Sequence, residues 1–131
     1  MKKITIEELK EALRKSWSKE TSYDPKGWTP ENPAWGQCAI TVFVVQDYLG
    51  GNIKAGFIKG LAYHYWNQLP DGSDEDFTKE QFKEKIEFLA GEIIDTAGSF
   101  REFLLLHRST KERYLLLKEQ VEKYLENKET K

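Results

Sequence analysis

Three side chains have the types and the chain order that acyl transfer through sulfur demands: Cys38 in "WGQCAI", His64 in "HYWN" and Asp76 in "DGSDEDFT". A nucleophilic thiol needs surroundings that favour the thiolate, supplied by a helix N-terminus or a paired imidazole. It also needs a base that takes and returns a proton, and a third group that holds that base in one tautomer. Cys38, the chain's only cysteine, stands at the mouth of the most apolar run in the sequence. His64 lies among aromatics, and Asp76 follows a Pro-Asp-Gly turn. With that turn centred near residue 71, antiparallel pairing sets position 64 opposite about 78, within a couple of residues of 76. Asp71 and Asp74 are competing carboxylates, and an Asp just ahead of Thr78 could instead serve a helix cap. His107, after "FLLL", reads as a helix-end or surface residue. Taken singly, Cys38 reads as a small buried hydrophobe and His64 as a half-buried, hydrogen-bonded histidine. It is the combination that points to chemistry.

Several function classes are excluded on composition. The 20 Lys and Arg nearly balance the 22 Asp and Glu, a formal net charge of −2. No basic stripe is visible, so no nucleic-acid partner is expected. No apolar run approaches the roughly 20 residues of a membrane span, so no membrane partner is expected. The start, "MKKITIEELK", has lysines without the apolar stretch of a signal peptide. These features predict a cytoplasmic protein whose thiol stays reduced. One Cys and two His make a Cys/His zinc site a poor expectation, and no cofactor is implied. At 131 residues the chain reads as a single domain, 1–131, able to bury a core.

The elements that must position these groups are partly legible. Thr5 with Glu8, Thr78 with Gln81 and Ser109 with Glu112 have the spacing of capping boxes and predict three helix starts. The first helix carries Ile6, Leu9, Ala12 and Leu13 at helical spacing, and the second Phe82, Ile86 and Leu89. The last, about 109–127, carries Tyr114, Leu117, Val121 and Tyr124, a stripe that reads as cover for the domain's own core. "SKETSYDPKGWTPENPA" is an irregular surface loop. Ile53 to Ile58 and Ala62 to Leu69 read as strands, with a short third ending near Phe77. The expected class is α+β. One stretch resists assignment: "AITVFVVQDYLGG" is β-branched enough for a strand, yet its length and closing Gly pair also suit a helix buried all round.

At these residues the sequence resembles a known family. "WGQCAI" is similar to the nucleophile motif of the transglutaminases, "HYWN" to their His-x-Trp motif, and "DGSDEDFT" to their Asp-x-Thr. The resemblance implies a papain-like core, in which a helix opening at Cys38 packs on a small antiparallel sheet bearing His64 and Asp76. It makes residues 38 to 49 that helix. It implies a Cys38–His64–Asp76 triad, with Gly36, Gln37 and Trp66 in support: Gln37 orienting backbone amides or capping the helix, Trp66 shielding the imidazole. Those enzymes also bind the oxyanion with a tryptophan indole, a role that no motif here assigns to Trp17 or Trp28. In contrast to those enzymes, no calcium site and no accessory domain is expected from these residues. Over more of its length, including "ETS", "QDYLGG" and "HYWNQLPDG", the chain resembles small uncharacterised bacterial proteins of the YunG type.

The function expected from these residues is thiol-dependent acyl transfer on a peptide or an amide-bearing small molecule, with hydrolysis preferred to transamidation. The alternative is a non-catalytic binding protein on the same fold.

Overall fold

A computed structural model describes residues 4–58, 63–79, 88–95 and 99–129. Helix α1, Ile6–Ser16, begins as its capping box requires. The Thr5 hydroxyl accepts the Glu8 N–H at 3.1 Å, and the Glu8 carboxylate accepts the Thr5 N–H at 3.1 Å. Leu9, Ala12 and Leu13 are fully buried.

The segment that composition left open is helix α2, Cys38–Leu49. Its residues 40 to 45 are all buried. A helical stretch buried this completely tolerates β-branched residues because burial of each large side chain contributes about 1.5–3 kcal/mol, well above the propensity penalty. The Gly pair ends it. Gly51, at a φ of +86°, could carry no side chain, since a Cβ would stand 2.2 Å from the Gln68 carbonyl oxygen.

The chain then forms an antiparallel sheet of β1, Asn52–Ile58; β2, Tyr63–Gln68; β3, Asp74–Glu75; and β4, Phe88–Asp95, in the order β3-β2-β1-β4. β2 and β3 pair with Asn67 opposite Glu75 and Gln68 opposite Asp74. Inside that hairpin Gly72 adopts a φ of +91°, and Leu69 and Ser73 close the loop with a 2.8 Å N–H to carbonyl bond. α3, Ser99–Leu105, and α4, Arg108–Glu129, complete the described elements. The class is α+β.

α2 is held from both sides. The Asn67 side-chain N–H donates to the Val42 carbonyl at 3.0 Å, and the buried Trp17 indole donates to Thr41 Oγ1 at 3.0 Å. On the α4 side Tyr114, Leu117 and Val121 enter the core, with Tyr124 packed against it. The Phe43 and Tyr114 rings meet edge to face at 5.8 Å. Near the helix C-terminus Arg101 pairs with Asp47 at 2.7 Å and donates to the Phe43 carbonyl, while the Tyr114 hydroxyl donates to Asp47.

Three expectations need correction. A helix running from Thr78 through Leu89 does not form as expected, because Leu89 lies in β4; Phe82 and Ile86 fall outside the described residues. The eight-residue β4, which completes the sheet beside β1, was not expected. Glu112 does not close a capping box on Ser109: α4 starts at Arg108, whose guanidinium takes the Glu112 carboxylate at 2.9 Å instead.

Candidate active site

Cys38 is the first residue of α2 and is partly exposed. The residues before it explain its placement. Gly36 has a φ of +72°, and a Cβ there would meet Ser22 Oγ at 2.4 Å and the Tyr23 amide nitrogen at 3.0 Å. That contact is a designed close approach: the Tyr23 N–H donates to the Gly36 carbonyl at 2.8 Å, and Ser22 Oγ donates to the Trp35 carbonyl at 2.7 Å. Gln37 is fully buried. Its Oε1 accepts the Thr21 hydroxyl at 2.7 Å, and its Nε2 donates to the Ser18 carbonyl at 3.0 Å. It makes no side-chain cap. Its role is to lash the 18–21 turn to the start of α2, so the capping expectation fails. Thr21 and Ser22, from the "ETS" stretch, are therefore the loop's anchors.

His64 stands near the start of β2 and is only 1% exposed. Its Nε2 meets Asp76 Oδ2 at 2.6 Å. Cys38 lies near enough for its charge to favour the protonated imidazole. Burial alone pulls the imidazole pKa down, but the hydrogen bond and charge of Asp76, together with the charge of Cys38, outweigh it and raise the value to about 9. At neutral pH the ring therefore carries the proton. Asp76 lies just past β3 rather than on it. Its other oxygen accepts the Thr78 N–H at 3.2 Å and its hydroxyl at 3.4 Å, so the carboxylate is fixed at both ends.

The competing carboxylates are committed elsewhere. Asp71 accepts the Ser73 N–H and hydroxyl within its own turn, at 2.8 and 2.6 Å. Asp74 pairs with Lys54 at 2.9 Å and accepts the Trp66 indole at 3.3 Å. His107 sits exposed at the α3–α4 junction. Trp66 shares the His64 face of β2, its ring roughly parallel to the imidazole at 6.1 Å. All four tryptophan N–H groups are taken by protein acceptors: Thr41 for Trp17, Pro33 for Trp28, Asp24 for Trp35 and Asp74 for Trp66. No indole N–H is therefore open to a further acceptor in this arrangement.

Sequence reasoning missed Arg113. It projects from α4, half-buried, with its Cζ 5.7 Å from the centre of the Tyr23 ring. Its Nη1 donates to the Thr21 carbonyl at 3.3 Å. Burial lowers its pKa, and the charge of Cys38 is near enough to oppose that shift. Its position beside the buried Tyr114 was a weak signal, because an arginine flanking an apolar stripe ordinarily lies on a solvated face. Among the described residues, no group of three or more His, Cys, Asp or Glu side chains is placed to hold a metal ion, and no helix is long and apolar enough to cross a membrane.

The fold and site thus define an α+β protein in which a cysteine opens a largely buried helix near a hydrogen-bonded histidine–aspartate pair. The YunG protein family model matches residues 5–126, and the chain belongs to that family. It is 39% identical over 83 residues to "Uncharacterized protein YunG" of Bacillus subtilis (strain 168), an alignment covering 63% of this chain and 68% of the relative. No solved structure matches the chain.

Proposed function

We propose that this protein is a thiol-dependent acyl-transfer enzyme on a papain-like, transglutaminase-like core, cleaving an amide or peptide bond with water as acceptor. What carries the reading is the convergence of a helix start, a strand and a post-strand turn on one imidazole that is 1% exposed. A solvated histidine needs no such enclosure, and a filler cysteine would be buried, whereas Cys38 is partly open.

The Cys38 sulfur, its proton held by His64, bonds to the carbonyl carbon, and the carbonyl π pair moves onto oxygen. First-turn N–H groups of α2, including that of Cys38, have no intrahelical partner and receive the oxyanion. The oxyanion collapses, the C–N bond breaks, and the amine leaves with the His64 proton. Neutral His64 then takes a proton from water as the water oxygen bonds to the thioester carbon. The C–S bond breaks, the acid departs, and the thiolate–imidazolium pair is restored. Asp76 acts through His64, fixing its tautomer and its charge.

p-Nitrophenyl acetate, an activated ester that needs no specificity pocket, tests this. The wild type is expected to release nitrophenolate in a burst and to carry an acetyl group on Cys38 by mass spectrometry. Cys38→Ala should abolish the burst. Asp76→Asn should slow turnover on the order of a thousandfold, while Asp71→Asn and Asp74→Asn should stay within about threefold of wild type. A folded wild type with neither burst nor acetyl-Cys38 would favour the alternative, a binding module that holds a ligand without acyl transfer.

A further inference from the structure

Among the described residues Arg113 has no carboxylate partner: its one hydrogen bond is to the Thr21 carbonyl and its one ring contact is Tyr23. A guanidinium has five N–H donors, so most of its fork is free. The ring beneath it is 79% exposed, an unusual position for a tyrosine. Both contacts belong to the turn that is hydrogen-bonded to the residues just before the thiol, Thr21 to Gln37 and Tyr23 to Gly36. Arg113 is thus fastened to the same short frame that sets Cys38. Other arginines in the fold are occupied: Arg101 by Asp47 and Arg108 by Glu112.

We infer that Arg113, braced on Tyr23, is the carboxylate-binding residue of the site, and that the substrate is an amide bearing a carboxylate a few bonds from the reacting carbonyl. This rests on Cys38 being the nucleophile. The planar fork matches a carboxylate in two parallel N–H bonds, which a lysine could not reproduce. The aromatic ring keeps the guanidinium extended and presents an apolar wall to the substrate's carbon chain. A purely structural arginine would be expected to aim its fork at a protein carboxylate, as Arg101 does.

Two reagents that differ only in charge test this on the native protein. Iodoacetate and iodoacetamide both alkylate sulfur by the same step: the C–S bond forms, the C–I bond breaks and iodide leaves. Only iodoacetate carries a carboxylate. The readout is the ratio of their rate constants at Cys38, divided by the same ratio for 2-mercaptoethanol. Any change in thiolate content alters both rates alike and cancels. The wild-type value is expected to be about tenfold or more above the free thiol, as a charge-assisted pair would give. In Arg113→Gln, and in Arg113→Met, which keeps the alkyl stem, it should fall to within about threefold of the free thiol. Circular dichroism confirms that at least one variant is folded. A ratio equal to that of 2-mercaptoethanol in the wild type, or one that persists in a folded variant, overturns the carboxylate assignment and leaves Cys38 as nucleophile. Failure of both reagents to touch native Cys38 overturns the nucleophile itself, and the subsite with it.

Discussion

At the residue scale the account turns on the His64–Asp76 pair, at 2.6 Å with the imidazole almost wholly buried. Its pKa, about 9 in the folded protein against 6.5 for a free histidine, links protonation to stability. The folded state holds the proton more tightly than the unfolded chain, so the gain is present in full below about pH 6.5 and is lost as pH rises through about 9. The size follows from the shift, about 3 kcal/mol. Urea unfolding should therefore show the wild type losing stability across that window. Asp76→Asn, lacking the charge that raises the imidazole, should show a much flatter profile. Parallel profiles for the two proteins would mean that the carboxylate does not hold the proton on His64. The turn centre near residue 71 was legible, since 67 opposite 75 and 68 opposite 74 both centre there, and it made the pair possible; the choice of Asp76 over Asp71 and Asp74 came with the resemblance. Arg113 was not legible, since its significance depends on a turn some ninety positions earlier in the chain.

At the element scale, the start of α2 is set by a close backbone approach more than by a cap. Gly36 is the residue that allows it. Gly36→Ala would force a side chain into a left-handed conformation and against Ser22 and Tyr23. It should cost about 2 kcal/mol or more in urea unfolding, from the conformational penalty and the displaced turn together. A change below about 0.5 kcal/mol, the range of an ordinary surface substitution, would show that the turn is not locked to the helix as described. Local signals read α1 correctly, because its capping box is satisfied within four residues. They failed at α2, where tertiary burial overrides β-propensity; only the resemblance to a helix-borne cysteine motif made it helical. They failed again at Leu89, where helical spacing was read across a stretch that ends in a strand whose place is decided by pairing with β1. Sequence spacing carries no information on such a distant partner. The Ser109 box was outcompeted by an Arg108–Glu112 pair one turn long.

At the scale of the molecule, α4 and the sheet pack on α2 and bury its residues 40 to 45, while Cys38 at its start stays partly exposed. The α+β class was legible from alternating strand and helix signals; the four-strand order was not, because β4 returns beside β1 rather than extending the hairpin. Membership of the YunG family fixes relationship, and chemistry must come from the site. The measurement that tests the central claim most directly is alkylation of native Cys38 by iodoacetamide as a function of pH, in the wild type and in His64→Gln. An imidazolium beside the sulfur favours the thiolate, so near pH 6 wild-type Cys38 should react faster than 2-mercaptoethanol, and His64→Gln, folded by circular dichroism, should lose that advantage. A thiol that reacts only after denaturation, or a pH profile unchanged by His64→Gln, would contradict the account and leave Cys38 as core filler.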